Sequence, residues 1–248
     1  MRHVLRAALL SFTCFAATAG FAADAALIEK GRKLFADAKL SSTGAACVNC
    51  HPNNGHTDNK TYVGLNAVKD GTPDGRSTPT LWGAGRRSVY AWAGTAPALE
   101  GNIRAIIVNR MKGAEPTPET LAALAAYVRS LAPPKTGNID DDGVPAKKAP
   151  AAVKRGFALF TGKGGCGACH VPGSFDKAEP EDVGTGAKFK VPALWAVSQT
   201  APYFHDGRTE SLKDAAKAMW AVSTKKAGTA SDPTDKEIAD LLAYLNSL

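Results

Sequence analysis

Two short stretches decide the fold of this chain: Cys47-Val48-Asn49-Cys50-His51 and Cys166-Gly167-Ala168-Cys169-His170. Both have the form C-x-x-C-H, and the second begins 119 positions after the first. Together they hold four of the five cysteines in the 248 residues, and the fifth is Cys14. The sequence must therefore be explained as two copies of one cysteine and histidine motif.

Further matches flank the two motifs at nearly the same offset. Pro79-Thr80-Leu81-Trp82 corresponds to Pro192-Ala193-Leu194-Trp195, and Glu115-Pro116-Thr117 corresponds to Asp232-Pro233-Thr234. Self-similarity at a fixed offset indicates an internal repeat. The sequence therefore predicts two structural units of the same kind.

The repeat sets the predicted domain boundaries. Residues 23–132 form the first domain and residues 151–248 the second, while the Pro-rich and acidic residues 133–150 are typical of a linker. Apolar residues at steps of three and four predict an amphipathic helix that closes each unit. Opening helices are predicted near residues 27–35 and 153–160, and no segment sustains a period of two. The predicted fold is all-α with long loops.

The N-terminus has the pattern of a secretory signal peptide. A basic start precedes an apolar run over residues 7–21, and Gly20 and Ala22 fit the small residues of a cleavage site. Residues 1–22, with Cys14, are predicted to be removed, with cleavage after Ala25 as the alternative. About 15 apolar residues are too few to span a bilayer. The mature protein is predicted to be periplasmic and not membrane-spanning.

Composition excludes two other classes of protein. With 44% hydrophobic and 21% charged residues, the chain can build ordinary cores and is not a disordered protein. The formal charge of +7 falls to +5 when Arg2 and Arg6 leave with the signal peptide. The remaining basic residues are spread along the chain rather than gathered in one stripe, so no nucleic-acid partner is expected.

The C-x-x-C-H motif is typical of covalent haem c attachment. Its two thiols reach the two vinyl groups of one porphyrin, and the adjacent histidine binds the iron. A zinc site would have to join cysteine pairs from different repeats, and a thioredoxin-like pair needs a βαβ context and no histidine. Two haem c groups are therefore predicted. The predicted attachment and iron-binding residues are Cys47, Cys50, His51, Cys166, Cys169 and His170.

Three strings in the second half carry a longer resemblance. They are Asp182-Val183-Gly184-Thr185-Gly186, Phe189-Lys190-Val191-Pro192-Ala193-Leu194 and Thr200-Ala201-Pro202-Tyr203-Phe204-His205-Asp206-Gly207. In this order they resemble the bacterial di-haem cytochrome c peroxidase and MauG superfamily. The resemblance implies two tandem cytochrome c-like domains with long loops wrapped around covalent haem.

The resemblance also implies how the helices cross. In cytochromes c, a glycine and an aromatic residue of the first helix pack against an aromatic residue of the last. The matching residues are Gly31, Phe35 and Tyr127 in the first half and Gly156, Phe160 and Tyr244 in the second.

Met219 is the distal ligand that the resemblance implies for the second haem. It follows His205 by fourteen positions, the separation at which that family places its methionine ligand after the H-D-G histidine. The alternative is that Met219 only fills the core. His205 itself is expected to be a structural hydrogen-bond donor, because the same turn lies at the non-catalytic haem of the family.

For the first haem, the expected distal ligand is Met111. It stands sixteen positions before Tyr127, which is similar to the methionine spacing of single-domain cytochromes c. The alternatives are His56 and an open site. His56 follows His51 by only five residues, too short a loop to pass around the porphyrin, and is expected on an exposed loop.

Trp92 is a candidate electron relay between the haems. Tyr90-Ala91-Trp92-Ala93-Gly94 resembles the F-W-D-G turn that carries the family's inter-haem tryptophan. The alternative is simple packing. Thr200 and Pro202 match calcium ligands of the family, but the usual asparagine is replaced around Ser77, which leaves the implied calcium site incomplete.

Two functions follow from the resemblance: one-electron transfer with other periplasmic redox proteins, such as small cytochromes, and reduction of hydrogen peroxide. Peroxide cleavage needs an acid near the iron. The matching stretch Asn109-Arg110-Met111-Lys112-Gly113 has no carboxylate, Asn102 replaces a glutamine, and Ala93 replaces the aspartate of the W-D-G turn. These departures favour electron transfer, with the peroxidase as the alternative.

Overall fold

The computed structural model describes residues 15–62 and 75–248, with side-chain burial from residue 24 onward. No helix in this described part is long and apolar enough to cross a membrane. Most of the predicted signal peptide lies outside these residues. The first helix runs through both predicted cleavage points, after Ala22 and after Ala25, and the signal peptide stays a prediction.

The first half consists of helices joined by long loops. Its elements are α1 (Phe15–Phe35), α2 (Cys47–Cys50), α3 (Pro52–Gly55), β1 (Thr61–Tyr62), β2 (Arg76–Ser77), α4 (Leu99–Ala105) and α5 (Pro118–Ser130). A π-helical turn, Ile106–Arg110, continues α4 directly.

The second half repeats this order with a longer helix before the last one. Its elements are α6 (Ala151–Thr161), β3 (Glu181–Asp182), β4 (Lys188–Phe189), α7 (Leu212–Lys226) and α8 (Asp235–Leu245). In each half the two short strands pair antiparallel. The all-α expectation is thus confirmed in outline, and these two small ribbons are what it omitted.

Both predicted helix crossings are present. A Cβ added to Gly31 would lie 1.9 Å from the carbonyl oxygen of Ala123, and one added to Gly156 would lie 2.0 Å from that of Asp240. Only glycine allows backbones to approach this closely. The ring centroids of Phe35 and Tyr127 lie 5.2 Å apart, and the matching aromatic pair of the second half packs in the same way.

Each half has its own buried core around its helix crossing. The first core includes Phe35, Trp82, Ile107, Met111, Leu124 and Tyr127. The second includes Phe160, Phe175, Trp195, Trp220, Leu241 and Tyr244. The two cores meet at Trp195, because Gly83 packs against its indole ring.

The segment predicted as a linker packs on the second half. Tyr244 Oη donates a hydrogen bond of 2.8 Å to the carbonyl of Gly143, and Thr136 Oγ1 donates one of 2.7 Å to the carbonyl of Ser247. Ala149 is buried in the second core. The predicted linker is therefore packed against the second half through these two hydrogen bonds and through Ala149.

Candidate haem sites

The two C-x-x-C-H motifs fold into equivalent turns. The first forms α2, and the second begins with a 3-10 turn, Cys166–Ala168. In each, the histidine N–H donates a 2.9 Å hydrogen bond to the carbonyl of the first cysteine. One turn of backbone thus brings two thiols and an imidazole together twice in the chain.

The first thiol of each motif is unlike the reactive thiol of a redox pair. All four motif cysteines are free thiols. Burial raises the pKa of Cys47 and of Cys166 to about 11. A redox pair lowers the thiol pKa instead. Within the described ranges, no three His, Cys, Asp or Glu side chains gather as a metal site. The zinc and thioredoxin-like alternatives therefore do not fit.

The two motif histidines present neutral imidazoles. Burial lowers the pKa of His51 to about 4 and also lowers the pKa of His170. His170 Nδ1 lies 3.1 Å from the carbonyl oxygen of Phe175, so it is the donor and Nε2 is left as a metal-binding nitrogen. Phe35 and Phe160 flank the two imidazoles with the same centroid distance of 6.5 Å.

A cavity of about 220 Å³ lies beside the second motif, and we call it the second cavity for that reason. His170 and both motif cysteines line it, and so does Met219 from α7. Ala215, Ala216, Val222 and Ser223 face it from the same helix at steps of three and four, which is one helical face. The residues present therefore fit a porphyrin, with nitrogen and thioether groups lining one cavity.

The repeat can be followed residue by residue into this helix. Tyr90 bridges Ala96 as Tyr203 bridges Thr209. Tyr90 Oη donates to the carbonyl of Ala84, and Tyr203 Oη to that of Val197, both at 3.1 Å. All these pairs are 113 positions apart, and so are the first residues of α4 and α7.

This register does not pair Met111 with Met219. The counterpart of Met219 is Ile106, while Met111 matches Thr224 at the end of the helix. Ile107, like its counterpart Trp220, is buried in the core, and Met111 is buried in the same cluster as Ile107. The ligand role of Met111 stays a prediction. The spacing counted back from Tyr127 and the repeat register differ because the helix of the first half is shorter and ends in a π turn.

His56 is excluded as a ligand, and it is not on an exposed loop. Its side chain is buried, and its ring stacks on Trp82 with centroids 4.1 Å apart. Nδ1 lies 3.1 Å from Thr80 Oγ1, and Nε2 lies 3.1 Å from the carbonyl oxygen of Gln199. Both nitrogens thus have hydrogen-bond partners, and the contact of Nε2 with Gln199 joins the two halves.

Comparison with known proteins agrees with these two sites. The profile of di-haem cytochrome c peroxidases matches residues 25–133, and that of cytochrome c matches residues 153–248. Residues 25–133 thus match the di-haem cytochrome c peroxidase (MauG) family and residues 153–248 match cytochrome c, and the chain has homologues among MauG proteins and cytochrome c peroxidases. Each matched range contains one of the two C-x-x-C-H motifs.

Individual members of the superfamily align over most of the chain. The methylamine utilization protein MauG of Methylorubrum extorquens is 29% identical, with 88% of this chain and 76% of that protein covered. The cytochrome c551 peroxidase of Pseudomonas aeruginosa is 28% identical, with 89% and 78% covered. A MauG-like protein associated with microbial copper homeostasis shares the fold, with a TM-score of 0.67, 23% identity, and 90% and 88% covered.

Trp92, the candidate electron relay between the haems, lies at the junction of the halves. It lines the second cavity, and its Nε1 donates a 2.8 Å hydrogen bond to the carbonyl of Ser77. The ring of His205 stacks on Phe189, with centroids 3.7 Å apart, and lies 6.5 Å from that of Trp92. An aromatic path therefore borders the cavity, while the relay role stays a prediction.

The residues do not fit the calcium site that the superfamily implies. The carbonyl of Pro202 accepts a hydrogen bond from Ser77 Oγ. The amide of Asn59 donates to the carbonyls of Gln199 and Ala201. A calcium ion needs several oxygen acceptors directed at it, whereas here donors from the first half already occupy these carbonyl oxygens.

Sequence reasoning missed two cations at the second cavity, Arg87 and Lys190. Lys190 is visible in the sequence only as one basic residue inside the string Phe189-Lys190-Val191, and Arg87 only as the second residue of the pair Arg86-Arg87.

Proposed function

We propose that this chain is a periplasmic di-haem c-type cytochrome whose main activity is one-electron transfer. Cys47 and Cys50 would hold the first haem with His51 as its proximal ligand. The second would be held by Cys166 and Cys169, with His170 and Met219 on its two faces. Haem iron with this histidine and methionine pair exchanges single electrons at a raised potential.

One observation carries the proposal: His170 and Met219 line the same cavity. The imidazole is neutral and oriented by its hydrogen bond to Phe175, and the thioether comes from the cavity face of α7. His170 and Met219 would thus both be available to bind the iron of a haem held in this cavity, which suits electron exchange rather than binding of a substrate.

The stretch in which the superfamily carries the acid for peroxide cleavage, residues 109–113 here, has no carboxylate. A proton must be delivered to the leaving oxygen by a positioned side chain. Lys112 stands in the stretch where the superfamily carries its carboxylate, and it is exposed with a left-handed φ of 55°. A cation on an exposed turn is a poor replacement for a buried carboxylic acid.

The alternative function, reduction of hydrogen peroxide, has its own support. Relatives of this chain include cytochrome c peroxidases. The repeat also places Ile106, which has no metal-binding atom, at the position of Met219. A haem in the first site would then be accessible to peroxide on the side of Ile106. We therefore expect weak peroxide turnover because the acid is missing, not because access is blocked.

The partners we propose are small periplasmic redox proteins. Val48 and Val171, inside and directly after the two motifs, are 38% and 48% exposed. The motifs thus lie at the surface, where a second redox protein can approach each site. Export through residues 1–22 would place the chain in the compartment where haem c is attached.

The test uses half-reduced protein mixed with hydrogen peroxide. We expect turnover well below about 1 s⁻¹, the low end of ordinary enzymes, while a reduced small cytochrome is oxidised rapidly. Turnover at or above that rate would establish the peroxidase instead.

A further inference from the structure

Lys190 lies where the two halves and the second cavity meet. Its backbone N–H donates a 2.8 Å hydrogen bond to the carbonyl of Trp92. Its side chain lines the cavity, although the residue is only 5% exposed. Nζ lies 5.6 Å from the centre of the Trp92 ring. The ammonium is therefore held inside the protein, between the candidate relay and the cavity.

No carboxylate among the described residues forms an ion pair with this ammonium. Asp176 is the one acid that raises its pKa, and its Oδ2 accepts a 2.8 Å hydrogen bond from the N–H of Ser88. Arg87 adds a second cation, with Nη2 donating to the carbonyl of Thr80 at 2.7 Å. Two cations thus share one acid here, and burying an unpaired charge is costly.

The other charged residues at the cavity are already paired. Lys226 Nζ lies 2.6 Å from Glu181 Oε2, and Lys177 binds the same carboxylate. When only protein groups surround Lys190, its pKa is lowered to about 7, mainly by burial and secondly by repulsion from Arg87. An anion in the cavity would remove this penalty.

We propose that Lys190 binds a carboxylate of the porphyrin in the second cavity and thereby holds that edge of the haem against Trp92. This inference rests on the proposed haem occupancy. The porphyrin's propionate groups are the anions that such a site would receive. Lys190 is then a positioning residue that also sets the potential of the second haem, because a fixed positive charge beside it favours the reduced iron.

The experiment compares Lys190→Met with Lys188→Met. Lys188 is exposed on β4, two residues before Lys190, so the two variants lose the same charge at nearby positions. Haem content is measured by mass spectrometry, and both midpoint potentials by spectroelectrochemistry. We expect two haems in each variant. In Lys190→Met the second haem should become at least tenfold harder to reduce, about 59 mV for one electron. Lys188→Met should match the wild type.

The outcomes separate this inference from the proposed function. Fewer than two haems in the wild type would remove the proposed function itself. Two haems with an unshifted potential in Lys190→Met would overturn the role of Lys190 alone. Should Lys190→Met fail to fold, Lys190→Arg is compared with the wild type by infrared difference spectroscopy with isotope-labelled propionates. A shifted carboxylate band supports the contact, and an unchanged band refutes it.

Discussion

The two halves share their helix crossing and their C-x-x-C-H turns, and they differ at the position of the predicted distal ligand. Gly31 and Gly156 make the same close helix crossing, and both motif histidines lie at the same distance from a phenylalanine ring. By contrast, α7 carries Met219 in its middle, while the matching position of the shorter first-half helix is Ile106. The comparison teaches that attachment and helix packing are fixed by the repeat, whereas the distal side is free to change.

The comparison separates positions that determine helix packing from positions that determine the chemistry of each site. Where a glycine meets a backbone carbonyl, any side chain forces the helices apart, so that position cannot vary without a large loss of stability. Where Met219 or Ile106 stands, either residue satisfies the helix, and only the chemistry toward the cavity changes. The variants below test each level of this comparison.

The largest effect is expected from removing one attachment motif at a time. Cys166→Ser with Cys169→Ser should yield protein with one haem, and so should Cys47→Ser with Cys50→Ser, because each pair of thiols attaches its own porphyrin. Intact-mass measurement of the periplasmic protein counts the haems. Retention of two haems in either double variant would contradict independent attachment.

Helix crossing should give the next largest effect. Gly156→Ala places a Cβ 2.0 Å from a backbone carbonyl oxygen, and such overpacking costs about 3 kcal/mol or more. Gly101→Ala is the matched control, since a Cβ at that helical glycine meets nothing within 4 Å. There the change should stabilise by about 0.5–1 kcal/mol. Urea unfolding measures both. Equal costs would show that the crossing does not need glycine.

Much of this comparison could be predicted from sequence, because it rests on local patterns. The motifs, the repeat and the glycine crossings follow from residues at fixed spacing. The burial of His56 could not be predicted, since it depends on the carbonyl of Gln199, 143 positions away. The spacing from Tyr127 and the repeat register disagree about Met111, because a π turn and a shorter helix change the register without any mark in composition.

The methionines test that register directly. Met219→Ala should abolish the charge-transfer band of one haem and lower its potential, because the thioether is lost. Met111→Leu should leave both spectra unchanged and cost less than about 1.5 kcal/mol, as volume-conserving core changes do. Absorption spectra of both redox states and urea unfolding decide. Loss of the band in Met111→Leu would restore that residue as a ligand and overturn the repeat register.

The smallest expected difference lies at Asp240, whose counterpart beside Gly31 is Ala123. Asp240 binds Arg155 through two hydrogen bonds of 2.7 and 2.8 Å, and Lys236 lies 2.8 Å from its Oδ2. Hydrogen bonding to Arg155, with Lys236 second, holds the pKa of Asp240 far below its usual range.

A carboxyl group with a lowered folded-state pKa stabilises the fold above its unfolded pKa of about 3.9 and loses that contribution as the pH falls. Asp240→Ala should therefore destabilise the second half at pH 7, and this deficit should shrink as the pH is lowered toward 3. Urea midpoints of wild type and variant across this range measure the change. Asp235→Ala is the control, because Asp235 lies on the same helix and forms no ion pair with the described residues. If the deficit for Asp240→Ala instead stays constant with pH, the ion pair adds nothing to the stability of the second helix crossing. The crossing in each half would then be stabilised by its glycine and its aromatic pair alone.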